Sequence, residues 1–238
     1  MSGFELKTVV RKLLRDNSPK VFLVSIMFII LVTVMSNLGF RLPGTLSAYE
    51  QYLERLSTGE LQNMSTIYSF FRPSGVPFAI VLWLLSAIVT AGYKSYCLKI
   101  SRGQKAEYGD VFNGFLFVGK VIFIKIITNI IVALWSILFI LPGIAAYYRY
   151  RQAYYILIDD PKKSVLECIS ESKRLMKGKK LDLFLLDLSF IGWWILDYLV
   201  ILFLPVPFSL PIVSIWLTPY FNVTNAAFYN RLINDLTV

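Results

Sequence analysis

Residues 114–161, GFLFVGKVIFIKIITNIIVALWSILFILPGIAAYYRYRQAYYILIDDP, decide how the chain is built. Gly114–Leu141 is apolar apart from a few positions, Lys120 and Lys125 among them. Crossing a hydrocarbon core about 30 Å thick takes about 20 helical residues, and this run is long enough. It ends at Pro142 and Gly143, strong helix breakers, so the spacing predicts a turn there and a return leg over 143–158. That leg carries five tyrosines around two arginines. As a helix it reaches roughly 24 Å, short of a full core. It reads either as a short span shielded by neighbours or in thinned bilayer, or as a re-entrant arm.

Working outward, the same pattern recurs. The chain has 238 residues, 56% hydrophobic and 16% charged, which points to an all-α, polytopic helical membrane protein. About six spans are expected. They are Val21–Phe40, Val76–Leu98, Gly114–Leu141, the short 143–158, Leu181–Leu204 and Ser209–Phe228. Val21–Phe40 is too long for a signal-peptide core and reads as a retained span.

The flanks set the orientation. Lys7, Arg11, Lys12, Arg15 and Lys20 precede the first span, and Lys94, Lys99, Arg102 and Lys105 surround the end of the second. Segment 159–180 carries a further basic cluster from Lys162 to Lys180. The loop 41–75 balances three arginines with three glutamates and has room for a short helix near Leu46–Leu56. By the positive-inside rule both termini and 159–180 are cytoplasmic and 41–75 is the outer loop, within one membrane domain over 1–238. The net charge of +9 thus follows the membrane and needs no nucleic-acid partner.

Two amphipathic helices are expected on the cytoplasmic side. In residues 1–20, Phe4, Leu6, Val9, Val10, Leu13 and Leu14 alternate with basic residues, as in a helix lying on anionic lipids. In 163–178, Val165, Leu166, Ile169 and Met176 form an apolar stripe that Gly178 ends. Its start is either Asp160 followed by Pro161, or the capping box Ser164–Glu167. A docking site for a protein partner is the alternative use of this helix.

The chain has no histidine, and its two cysteines, Cys97 and Cys168, have no metal-ligand or disulfide spacing. Ser-His and Cys-His catalysis are therefore excluded. No metal and no cofactor is expected. Ser170 and Lys173 have a serine–lysine spacing but sit on a charged surface helix. Asp187 and Asp197 share one segment, unlike the opposed aspartates that intramembrane proteolysis needs. No catalytic residue is assigned.

Ionisable groups inside spans are the candidate site. Lys120 and Lys125 lie near the cytoplasmic end and are expected to snorkel. Arg149 and Arg151 point about 200° apart on a helix. Arg149 shares its face with Ala145, Gln152 and Ala153, and Arg151 with Tyr147, Tyr148, Tyr154 and Tyr155. The small face makes Arg149 the expected interior arginine. Depth along the two helices makes Asp187 its expected partner. Asp197 has no partner legible in the sequence. Ser189 and Gly192 offer a small face for close helix contact. Pro219 interrupts the last span, where Asn222, Thr224 and Asn225 are expected to bond across helices, satisfy freed carbonyls or line a cavity.

These motifs together resemble a bacterial integral-membrane family catalogued as domain of unknown function 975. The resemblance rests on Leu141-Pro142-Gly143-Ile144, on Tyr155 through Asp159-Asp160-Pro161, and on Ser172, Leu175-Met176 and Gly178-Lys179. It continues over Leu188-Ser189-Phe190-Ile191-Gly192-Trp193, Pro219-Tyr220 and Phe228-Tyr229, and the loop SRGQKAEYGDVFNGF is similar too. It implies a multi-pass protein of the bacterial cytoplasmic membrane and brings no activity. From the residues themselves, the expectation is a non-enzymatic protein that binds or transports an amphiphilic ligand, or confers tolerance to membrane-active compounds. The alternative is a structural or regulatory subunit acting through 163–178.

Overall fold

A computed structural model describes residues 3–40, 76–203 and 212–235, and every regular element among them is helical. In order these are α1 (Gly3–Asp16), α2 (Lys20–Phe40), α3 (Val76–Ser101), a 3-10 segment (Tyr108–Phe117) and α4 (Val118–Leu138). There follow α5 (Ile140–Tyr150), α6 (Ala153–Asp159), α7 (Val165–Leu175), α8 (Lys180–Leu188), α9 (Ile191–Phe203) and α10 (Ile212–Asn234). The outer loop 41–75, with the helix expected near Leu46–Leu56, lies outside the described residues.

Three helical stretches are long and apolar enough to cross a membrane: Ala79–Ser101, Tyr108–Leu138 and Lys180–Val200. A fourth joins them if α1 and α2, which meet at a 98° bend, count as one broken span. The surface fits such a setting. Ile137, Leu138, Phe139, Ile140 and Leu141 are all more than 60% exposed, a contiguous apolar tip that water would penalise.

The chain divides into two compact units. One is Ile29–Ala87. In it Ile30, Val34 and Leu38 stay exposed at a spacing of four, an uncovered apolar stripe on one helix face. The other is Met1–Phe28 with Ile88–Val238, in which α10 packs against α1 and α9. Leu217, Val223, Ala226, Phe228, Tyr229 and Leu232 of α10 are all buried.

Within the larger unit the hairpin of α4 and α5 turns earlier than the breakers predict. Phe139, not Pro142-Gly143, is the extended residue between the helices (φ −159, ψ 146). Pro142 sits in the first turn of α5, where its missing N–H would find no intrahelical acceptor anyway. Gly143 is needed for another reason. A Cβ there would overlap the Ser136 hydroxyl and lie 2.9 Å from the Ser136 Cα. The return leg is also not one helix: α5 ends at Tyr150 and α6 begins at Ala153.

The stretch expected as a third span likewise starts as a 3-10 segment, because α3 crosses it backbone to backbone. A Cβ on Gly92 would overlap the Val111 carbonyl, and one on Gly114 would lie 2.8 Å from the Gly92 nitrogen. Lys99 donates to Asp110 at 2.6 Å and fixes the segment's start. The stretch expected as a fifth span breaks at Ser189–Phe190, where Phe190 N–H bonds the Asp187 carbonyl at 2.9 Å and tightens the chain into a turn. Of the small face expected there, Gly192 is not closely approached, since a Cβ on it would meet nothing within 4 Å among the described residues.

The N-terminal helix turns half of its stripe on protein and leaves Phe4 and Val9 exposed. Leu6, Val10 and Leu14 are buried, and α1 packs along α10. In α7 the Ser164 capping box prevails over Asp160. Ser164 Oγ accepts from Glu167 N–H at 3.3 Å, and Glu167 Oε2 accepts from Ser164 N–H at 2.7 Å. The buried face of α7 is Cys168, Ile169, Ser172 and Leu175, followed by Met176, whereas Leu166 is 69% exposed. Gly178, at φ +78, ends the turn that follows, as expected.

Candidate functional site

The interior polar site forms where α5 and its C-terminal residue meet α8. Arg151 donates to the Asp187 carboxylate, and Tyr148 O–H donates to the same oxygen at 3.0 Å. The Arg151 guanidinium lies 5.6 Å, 5.7 Å and 5.5 Å from the rings of Tyr147, Tyr148 and Phe221. Phe184 meets Tyr148 edge-on at 5.8 Å and closes the side. The pair is largely shielded, with side chains 11% and 17% exposed.

Arg149, the expected partner of Asp187, does not make this bond. It is half-buried, and its carbonyl accepts from Ser172 Oγ of α7 at 2.9 Å. The reason is the face it shares. Small residues of α5, Gly143 and Ala146, are buried, and α4 closes on Gly143 through Ser136. Arg151, at the break between α5 and α6, is left facing α8 together with the tyrosines one turn before it.

Asp197 acquires a partner no sequence pattern names: the start of α10. Its carboxylate accepts from Val213 N–H at 3.1 Å and from Ser214 Oγ at 2.6 Å. It therefore satisfies donors that a helix N-terminus leaves open, on the positive end of the helix dipole. The asparagines of α10 turn inward on their own helix. Asn222 Nδ2 donates to the Thr218 carbonyl and Asn225 Nδ2 to the Phe221 carbonyl, both at 2.9 Å. Both bonds reach back one turn, neither crosses to another helix, and neither reaches the Ile215 carbonyl that Pro219 frees. Gln152 Oε1, Tyr155 O–H, Asp187 Oδ1 and Asn225 Oδ1 are buried without a hydrogen-bond partner among the described residues.

Lys120, in the stretch expected as a third span, and Lys94 of α3 find protein. Lys120 Nζ donates to the carbonyls of Pro161 and Lys163 at 2.5 and 2.9 Å, pinning the loop before α7 instead of reaching for headgroups. Lys94 lies over the rings of Tyr154 and Tyr155 at 4.5 and 5.4 Å.

A second network, not anticipated, ties α3, α6 and α10 together. Arg102 grips both oxygens of Asp159 at 2.7 Å, which holds the guanidinium pKa above its usual value. Tyr229 O–H donates to Asp159 at 2.9 Å, and Arg102 Nε donates to Asn230 Oδ1 at 2.9 Å. Tyr155 stacks on Tyr229 with centroids 5.1 Å apart.

A groove of about 470 Å³ lies between α1, α8 and α10. Phe4, Leu6, Leu185, Leu186 and Phe228 give it an apolar lining, and Lys7, Asp182 and Arg231 give it charge. Lys7 Nζ donates to the Ser189 carbonyl at 3.3 Å and sits 3.9 Å from the Phe190 ring centroid. Beside it Arg11 donates to Tyr220 O–H at 3.2 Å, which holds α1 in place.

The networks join residues quoted for the family resemblance: Tyr155, Asp159, Tyr229, and Ser172 beneath Arg149. Residues 140–235 match the family model described as protein of unknown function (DUF975). The matched region carries both the Arg151–Asp187 pair and the Asp159–Tyr229 contact. No curated protein and no solved structure matches the chain.

Proposed function

We propose that this is a non-enzymatic, multi-pass protein of the bacterial cytoplasmic membrane that binds an amphiphilic ligand and so gives tolerance to membrane-active compounds. The observation that carries the reading is the groove between α1, α8 and α10, with charge and apolar surface in one lining. Pockets that combine an apolar wall with a few placed polar groups suit small ligands. Arg151 and Asp187 serve in this reading as the bond that holds α5 to α8, because each is already engaged by the other.

The arrangement proposed is six crossings with both termini cytoplasmic, the return leg being the broken α5–α6 pair. Support comes from the basic flanks of the first and second spans and of 159–180. Single cysteines placed at Lys12 and Lys162, in a protein lacking Cys97 and Cys168, should label only after permeabilisation. One at Ser57 should label in intact cells. Labelling of Lys12→Cys from outside overturns the orientation.

The functional test is a deletion strain challenged with membrane-active peptides and detergents. Greater sensitivity, restored by the wild-type gene, is the expected result. Unchanged sensitivity, together with no amphiphile retained by the purified protein, overturns the proposal.

The second reading, a subunit docking through α7, is favoured by the exposure of Leu166 beside an open charged depression lined by Lys163, Glu167, Ser170, Glu171 and Arg174. A photo-crosslinker at Leu166 should then capture one reproducible membrane partner. Recovery of lipid alone counts against it.

A further inference from the structure

The chemistry of the groove goes further than its shape. We infer that it holds an anionic phospholipid of the surrounding bilayer, with the phosphate on Lys7 and Arg231 and an acyl chain leaving along α8. The inference rests on the amphiphile-binding reading above and names its ligand class.

Charge selects the headgroup. The groove's own lining carries two cations, Lys7 and Arg231, and one carboxylate, Asp182. Lys7 meets neutral groups, the Ser189 carbonyl and the Phe190 ring, which orient the ammonium without neutralising it. Arg231 has Asp235 at 4.0 Å, but that carboxylate lies nearer to Lys179, at 3.3 Å. Arginine is the side chain best suited to a phosphate, since its planar fork matches two phosphate oxygens.

The exit selects a lipid over a soluble anion. Leu185 and Leu186 line the groove, and Leu185 continues onto an exposed apolar face of α8. Leu181, Leu185 and Leu188 on that face are 63%, 52% and 45% exposed and spaced four and three residues apart. A chain leaving the groove therefore runs onto surface that is already apolar. Phe4, 75% exposed, borders the same opening from α1.

The test uses the full-length protein, delipidated in detergent and equilibrated with mixed micelles of equal phosphatidylglycerol and phosphatidylcholine. Native mass spectrometry then reads the lipid retained. Wild-type protein should retain phosphatidylglycerol in preference. Lys7→Gln with Arg231→Gln should lower its occupancy roughly tenfold, and Arg231→Lys should lower it less, because a lysine replaces two fork contacts with one. Leu185→Trp, which fills the groove and leaves the charge alone, should remove it as well. Lys162→Gln, a cation on an exposed loop away from the groove, should have no effect.

Equal retention of the two lipids, or an unchanged occupancy in the double variant, overturns the inference. So does an equal loss from Lys162→Gln. If the double variant fails to fold, judged by elution and thermal unfolding, Arg231→Lys and Leu185→Trp carry the test. Retention of an amphiphile that groove variants do not alter sinks the groove and leaves the proposed function standing. A protein that retains no amphiphile at all sinks both.

Discussion

Arg151 and Asp187 form an ion pair between the end of α5 and the body of α8, and Tyr148 completes it by donating to the same carboxylate oxygen. In an apolar setting each charge is tolerable only because the other is there. Desolvating either alone costs several kcal/mol, and mutual attraction with ring contacts offsets this.

Removing one member should therefore hurt far more than removing both. Arg151→Ala or Asp187→Ala is expected to destabilise by about 3–5 kcal/mol, whereas Arg151→Met with Asp187→Leu should recover most of the loss. Thermal unfolding in detergent, run as a double-mutant cycle, measures the coupling. Simple additivity of the single effects would show that the pair does not hold α5 to α8.

Gly143 gives a second, purely steric prediction. A methyl group there would collide with Ser136, so Gly143→Ala should open the α4–α5 hairpin at a cost of about 1–3 kcal/mol. Ser136→Gly removes the hydroxyl that the methyl meets first but leaves the Ser136 Cα 2.9 Å away, so the double variant should recover part of the loss. A larger substitution at Ser136 that leaves Gly143 in place and costs nothing would show that the two helices do not close there.

How far the sequence carried can be judged from these same residues. Apolar run length and helical periodicity place most helices, and the Ser164 box and Gly178 bound α7, because these are local properties of the chain. Pro142 misleads by three residues, since proline is tolerated in a first helical turn. The break at Ser189–Phe190 carries no glycine or proline and is set by tertiary contacts of Phe190 with Tyr220 and Phe221. The choice of Arg151 over Arg149 depends on which face α4 occupies, and the groove joins Lys7 to Arg231 from opposite ends of the chain. Neither relationship has a local signature.

The capping box of α7 predicts a pH dependence of definite sign. The Ser164 backbone N–H bonds the Glu167 carboxylate and holds its pKa below the usual 4.5. A group whose folded pKa is depressed stabilises the fold above its unfolded value and loses that contribution as pH falls through the folded one. α7 should thus fray in acid, and Glu167→Gln should remove this component. Lys163 has the opposite sign. Its hydrogen bond to Glu171, 2.6 Å long, raises its pKa above the usual 10.5, so its contribution is complete below that value and is lost as pH rises through the folded one. Carbon-13 titration of the Glu167 carboxyl reads the first effect directly; an unshifted midpoint would rule out the box in solution.

Asp197 yields the last prediction, because its partners are all donors. Val213 N–H and Ser214 Oγ both point at the carboxylate, so what the helix start requires is acceptors. Asp197→Asn keeps an acceptor for Val213 N–H, and its amide N–H can donate to Ser214 Oγ, which accepts as readily as it donates, so it should cost little. Asp197→Leu keeps none, leaves two donors unpaired in a buried place and should cost about 1–3 kcal/mol each. Hydrogen exchange at Val213 and at its neighbours in the first turn of α10 localises the change. Fast exchange confined to that turn in Asp197→Leu, with Asp197→Asn close to wild type, is the expected pattern. Equal loss in both variants would mean that the negative charge itself, acting on the helix dipole, matters more than the hydrogen bonds.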